Sequence, residues 1–305
     1  MHCATSLTLT CRARRGYELI VVWGPLAATT MLSALATTRL PGWARMWLMA
    51  LSLYGGFKWL TWQRAVCELR LMRPPLARSL AYLFLWPGMN ATRFLSAAKV
   101  ERPNGVEWLR GVRNVLTGTA LVWLIAGRFL PRQPCAAGWA GLVGIGLWLH
   151  FGILQLLSLA WQRAGVYATP IMQRPASATS LADFWGRRWN TAFRDLAYQL
   201  IFRPLARRWG ARRAMTAAFL FSGVLHDLAI SVPARAGYGL PTLYFLLQAI
   251  GVEIERSALG RRWHLRGGVR GWMFAATMIL APASLLFHAA FLRRVVIPFL
   301  NVLGA

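Results

Sequence analysis

Asn190 and His226 are the two residues whose types and setting suit charge stabilisation and proton transfer, and both lie between Ser180 and Asp227. That stretch reads SLADFWGRRWNTAFRDLAYQLIFRPLARRWGARRAMTAAFLFSGVLHD. His226 falls inside an apolar run, where burial keeps an imidazole neutral. A neutral imidazole accepts a proton from a hydroxyl, the work of a general base. Ser222 lies one helical turn earlier on the same face, placed to orient the ring. Asp227 is about 100° further round a helix, so no local Ser–His–Asp relay forms, and it reads as the partner of an arginine on another helix. A satisfied interhelical hydrogen bond is the competing reading of His226, and depth alone does not separate the two.

The other titratable groups have plainer readings. His150 is also in an apolar run and is the main competitor to His226; His288 reads as structural and His264 as solvated. Glu253 and Glu255 stand beside Arg256 and predict ion pairs. The chain has no HExxH, GxSxG or GxxxxGK[ST] motif, which removes the standard zincin, nucleophile-elbow and P-loop chemistries. The cysteines at 3, 11, 67 and 135 form no CxxC pair, so no metal site is expected.

These residues need elements to hold them. Ser180 and Asp183 fit a capping box, predicting a helix from Leu181 that ends before Pro204. Leu181, Trp185, Trp189, Ala192, Phe193, Leu196 and Leu200 share its apolar stripe; Arg187, Arg194 and Tyr198 lie opposite. Such a helix rests on a membrane face. Asn190 sits off the stripe and adds nothing to anchoring.

The 305 residues are 57% hydrophobic and only 14% charged, well below a soluble domain's share. Apolar runs over residues 17–38, 43–62, 112–130, 138–160, 214–232, 238–254 and 269–292 predict an all-α, polytopic transmembrane bundle of about seven to nine spans with interfacial amphipathic helices. His226 then lies roughly 18 Å into its span, near the middle of the hydrocarbon. Residues 79–90 are too short to span and are broken by Pro87 and Gly88, as in a re-entrant piece. Gly138, Gly141, Gly144 and Gly146 predict close helix packing, Pro282 a kink, and Lys58 a snorkelling side chain.

The net charge of +26 suggests a nucleic-acid partner, but the basic residues cluster between the spans. With the N-terminus inside, inner segments carry 27 of them and outer segments 7. That orientation puts both long connections in the cytoplasm and excludes nucleic acid as the partner. No cleavable signal peptide precedes the first run. The bias to Arg, Ala, Gly and Trp points to a bacterial cytoplasmic membrane. No repeat or second domain divides residues 1–305.

FWGRRWN (184–190) followed by FSGVLHDL (221–228) resembles the membrane-bound O-acyltransferases, specifically the wax-synthase-like branch. LWPGMN (85–90), PLARRWGAR (204–212) and GYGLPTLYFLLQ (237–248) resemble it too, so the likeness covers about residues 80–260. The resemblance implies a helical bundle with a tunnel meeting at the histidine. It implies transfer of a fatty acyl group from acyl-CoA, as co-substrate and with no further cofactor, to the hydroxyl of a lipid or long-chain alcohol. It makes His226 the catalytic histidine and Asn190 the polar residue of the Trp-Asn motif. Substrate contacts then fall to Trp185, Arg187, Arg188, Trp189 and Ser222, with Arg187, Arg188, Arg207 and Arg208 meeting the phosphates. A transporter or lipid-handling scaffold using His226 and Asp227 as a proton relay is the rival from another class; it predicts paired repeats, which the sequence does not show.

Overall fold

The computed structural model describes residues 39–69, 75–96, 100–129 and 132–305, together with isolated positions between 24 and 31. Apart from those isolated positions, the first expected span, 17–38, therefore falls outside the described residues. Those residues are helical with no strand among them, as the hydrophobic runs require. The principal helices are α1 (Gly42–Glu68), α2 (Leu76–Leu85), α3 (Gly105–Thr119, running on into Ala120–Phe129), α4 (Pro134–Arg163), α5 (Thr191–Ala234), α6 (Leu240–Arg256), α7 (Ala258–Arg262) and α8 (Gly268–Leu280).

Among the described residues, three helical stretches are long and apolar enough to cross a membrane: Pro134–Arg163, Thr191–Ala234 and Gly268–Leu286. This supports an integral membrane protein and does not reach the expected seven to nine spans. α1 has 27 residues, so composition rather than length keeps it out of that set. α6 has 17 residues, at the short end of the range for a crossing helix.

Helix packing follows the small residues. A Cβ on Gly141 would stand 2.4 Å from Leu300, and one on Gly144 2.8 Å from Val122, so both glycines allow close approach. Gly146 faces open space and plays no such part. α2 ends at Leu85 and the backbone turns extended at Trp86, so 79–90 breaks where Pro87 and Gly88 predict. The last apolar run likewise breaks at Pro282.

Lys58 corrects the snorkelling expectation. It is 1% exposed; its Nζ donates to the Gly88 carbonyl at 2.8 Å and lies 3.1 Å from the Tyr82 ring centroid. Carbonyl and ring together hold the buried amino group and tie α1 to the broken segment after α2.

The helix expected from Leu181 to before Pro204 is also different. It is interrupted at Trp189 and Asn190, and Asn190 adopts left-handed φ 39°, ψ 62°. α5 then passes through Pro204 without stopping. A wide π turn over Tyr198–Phe202 precedes the proline and relieves the missing donor. The real break is Gly210, at φ 81° and ψ 161°, a conformation reserved for glycine.

Candidate active site

A cavity of about 220 Å³ lies between the FWGRRWN segment, α5 and α6. Its walls include Trp185, Trp189, Asn190, Phe193, Ser222, His226 and Phe245. It extends along α5 to Met215, with Arg194, Tyr198, Phe202 and Arg256 also lining it. Most of the wall is apolar, and the polar groups are few, as in a ligand site.

Local sequence explains how each wall is held. Ser180 Oγ accepts from the Asp183 N–H at 3.0 Å, starting the short helix Leu181–Asp183. Glu255 anchors the same start from α6: its carboxylate accepts from Leu181 N–H at 2.5 Å and Ala182 N–H at 3.2 Å. Trp185 Nε1 donates to Gln248 Oε1 at 3.3 Å, and fully buried Gln248 donates on to the Met278 carbonyl. Trp189 stacks on Phe184 at 5.3 Å between centroids. The motif's aromatic residues thus act as packing that fixes the cavity wall.

Asn190 occupies the break between the two helices. Its Oδ1 accepts from the Phe193 N–H at 3.1 Å, capping α5. That bond fixes which end of the amide is oxygen, leaving the Nδ2 protons as the side chain's remaining polar function. An asparagine tolerates the left-handed conformation that the cap requires here. Asn190 is therefore the N-cap of α5 and also part of the cavity wall.

His226 lies eleven residues beyond Met215 on α5. Phe245 packs on its ring at 4.5 Å between centroids, and Phe193 stands edge-on at 6.2 Å. Its Nδ1 is 2.7 Å from the Ser222 carbonyl oxygen. A carbonyl only accepts, so the proton is on Nδ1 and the Nε2 lone pair is left to take a proton. Ser222 thus orients the ring through its backbone. Its hydroxyl donates to the Ala218 carbonyl at 2.9 Å.

Several other expectations are revised. Arg187 and Arg188 line none of the cavity. Both Nε atoms bind the Asp183 carboxylate, at 2.8 and 2.5 Å, because the π turn Phe184–Arg188 brings the two guanidinium groups to one side. Arg207 and Arg208 are exposed and also away from it. The cations on the cavity wall are Arg194 and Arg256. Arg194 pairs with Asp195 and donates to the Gly186 carbonyl, whereas Arg256 touches Met215 Sδ at 3.5 Å. Spacing contains a signal for part of this: Asn190, Phe193, Arg194, Ala197 and Tyr198 recur as one face of a helix that begins at Thr191.

Asp227 meets no arginine among the described residues. Its carboxylate accepts from Gly239 N–H at 2.8 Å, Thr242 N–H at 3.1 Å, Ser231 Oγ at 2.8 Å and the Thr242 hydroxyl. It therefore caps α6, a favourable place for a negative charge, and locks that helix beside His226. Glu253 does form an ion pair, with Arg212 at 2.8 Å, while Glu255 is a cap. His288 accepts from the Phe291 N–H and is structural, as expected. His150 lines neither described pocket.

With the geometry in place, comparison with known proteins bears on it. Residues 168–247 match the model of the membrane bound O-acyl transferase family. A probable long-chain-alcohol O-fatty-acyltransferase 7 of Arabidopsis thaliana is 35% identical over 141 residues, 41% of this chain and 40% of that one. The long-chain-alcohol O-fatty-acyltransferase of Simmondsia chinensis is 34% identical over 119 residues, 35% of this chain and 34% of that one. An acyl-CoA–sterol O-acyltransferase 1 of Arabidopsis thaliana is 26% identical, over 41% of this chain and 39% of that one. The chain thus spans about two fifths or less of the length of each of these relatives. All three are plant proteins and lend nothing to the bacterial membrane read from composition. Residues 168–247, which contain both Asn190 and His226, match the membrane bound O-acyl transferase family and resemble the wax-synthase-like branch.

Proposed function

We propose that this protein transfers a fatty acyl group from acyl-CoA to the hydroxyl of a lipid or long-chain alcohol, with His226 as general base. The observation that carries the reading is the cavity that joins Asn190 and His226 to a cation, Arg256, at its other end. Eleven residues of helix separate Met215, which Arg256 touches, from His226, or about 16 Å. The pantetheine arm of CoA, a chain of about a dozen bonds, reaches a comparable distance when extended. An acyl thioester with its phosphate at Arg256 would bring its reacting carbonyl to the His226 end. This replaces Arg187 and Arg188 as the phosphate contacts, since Asp183 already holds both.

In the proposed step, His226 Nε2 removes the proton from the acceptor hydroxyl, which approaches from the bilayer. The oxygen attacks the thioester carbonyl, and Asn190 Nδ2 donates to the developing oxyanion. The C–S bond then breaks, the ester remains, and the departing thiolate takes the proton back from the His226 imidazolium. CoA leaves by the arginine-lined end, the cytoplasmic side in the orientation set by the basic residues. The relatives' names, for long-chain-alcohol and sterol acyltransferases, support a hydroxyl acceptor.

The test is incubation of the purified protein in proteoliposomes with labelled acyl-CoA and a mixed pool of long-chain alcohols and sterols. Labelled ester is the expected product. Movement of label across the bilayer without ester would favour the transporter, and neither outcome would leave a scaffold.

A further inference from the structure

The arginines that the cavity does not use are concentrated at one end of the α5–α6 pair. Five lie between Arg203 and Arg213, and four more between Arg261 and Arg270. Arg212 binds Glu253 at 2.8 Å, Arg256 touches Met215, and Arg261 Nη1 donates to the Arg256 carbonyl at 3.1 Å. These contacts place both groups at the same end of the bundle. Among the described residues, Arg212 alone of the nine forms an ion pair with a carboxylate, and all nine are exposed. The break at Gly210 turns the Arg203–Trp209 run away from the line of the span.

Large apolar side chains stand among these charges. Trp209 is 55% exposed, Trp263 58% and Val269 72%. Exposed tryptophan beside arginine fits the boundary between headgroups and acyl chains, where ring and cation are both satisfied. A nucleic acid or acidic protein would match the charge and leave these apolar groups in water. The positive-inside bias accounts for the side on which the arginines stand; it does not account for so many without acidic partners.

We propose that this arginine- and tryptophan-rich end is a binding surface for anionic phospholipid headgroups. Guanidinium groups bind phosphate with paired hydrogen bonds, and each cation near an anionic surface changes binding by about fivefold. The proposal is independent of acyl transfer and has its own readout.

Native mass spectrometry of the whole protein, released from mixed nanodiscs of equal phosphatidylglycerol and phosphatidylcholine, tests it. At least a fivefold excess of retained phosphatidylglycerol is expected. The excess should fall at least fivefold when Arg207, Arg208, Arg261 and Arg262 are all replaced by Gln, and return when the same four are replaced by Lys. Circular dichroism and a single gel-filtration peak establish that each variant is folded, and the Lys variant tests charge even if the Gln variant fails. Equal retention of both lipids by the unmodified protein, or an undiminished excess in a folded Gln variant, would overturn the proposal.

Discussion

Replacing Asn190 with Asp separates its two roles. The Oδ1 cap on the Phe193 N–H, 3.1 Å long, survives the change, because a carboxylate accepts that bond and is favoured at a helix N-terminus. Aspartate also tolerates the left-handed conformation of the residue, φ 39°. The Nδ2 donor is lost, and a negative charge faces the place where an oxyanion would form. Loss of one such donor costs about 10²–10³ in rate. Asn190→Asp should therefore melt close to the parent and lose activity by that factor. Asn190→Ala removes donor and cap together, so it should show the same rate loss with about 1–2 kcal/mol less stability. The assay is initial rate of ester formation alongside thermal unfolding in one detergent. A folded Asn190→Asp protein working within about threefold of the parent would refute the donor role and leave Asn190 a cap alone.

Three further outcomes follow from the same geometry. His226→Ala should reduce ester formation by about 10²–10⁴ while far-UV circular dichroism is unchanged, and a fully active His226→Ala protein would remove the base. Gly223→Ala places a Cβ 2.6 Å from the Thr242 backbone, forcing α6 away from α5 and Phe245 off the His226 ring; a loss of about 1–3 kcal/mol and of activity is expected, and unchanged unfolding would contradict the close approach. Lys58→Met leaves the Gly88 carbonyl without its buried donor, so thermal unfolding should show a cost of about 1–3 kcal/mol, whereas an unchanged midpoint would mean that Lys58 does not tie α1 to the broken segment.

The helical class and the Asn190–His226 pairing are legible because they rest on local signals: long apolar runs, and two motifs about 35 residues apart. What was not legible depends on partners that a one-dimensional pattern does not name. Asp227 caps α6 through the backbone N–H groups of Gly239 and Thr242, and backbone donors carry no residue signature. An acidic residue beside arginine-rich segments therefore reads as an ion pair. Arg187 and Arg188 look free until a π turn folds both onto Asp183. The apolar stripe from Leu181 to Leu200 runs on in phase through Trp189, so nothing in its period marks the break at Asn190. Pro204 reads as a stop because its missing donor is visible in sequence, whereas the wide turn that accommodates it is not.

The central claim is that one cavity presents an acyl thioester to Asn190 and His226 at once. Cryo-electron microscopy of the protein with a thioether analogue of acyl-CoA, which retains the acyl carbonyl and resists cleavage, measures that directly. Pantetheine density is expected along the α5–α6 cavity, with phosphate at Arg256 and the carbonyl about 3 Å from Asn190 Nδ2 on the His226 Nε2 side. An analogue bound elsewhere, with the cavity filled by unmoved side chains, would contradict it.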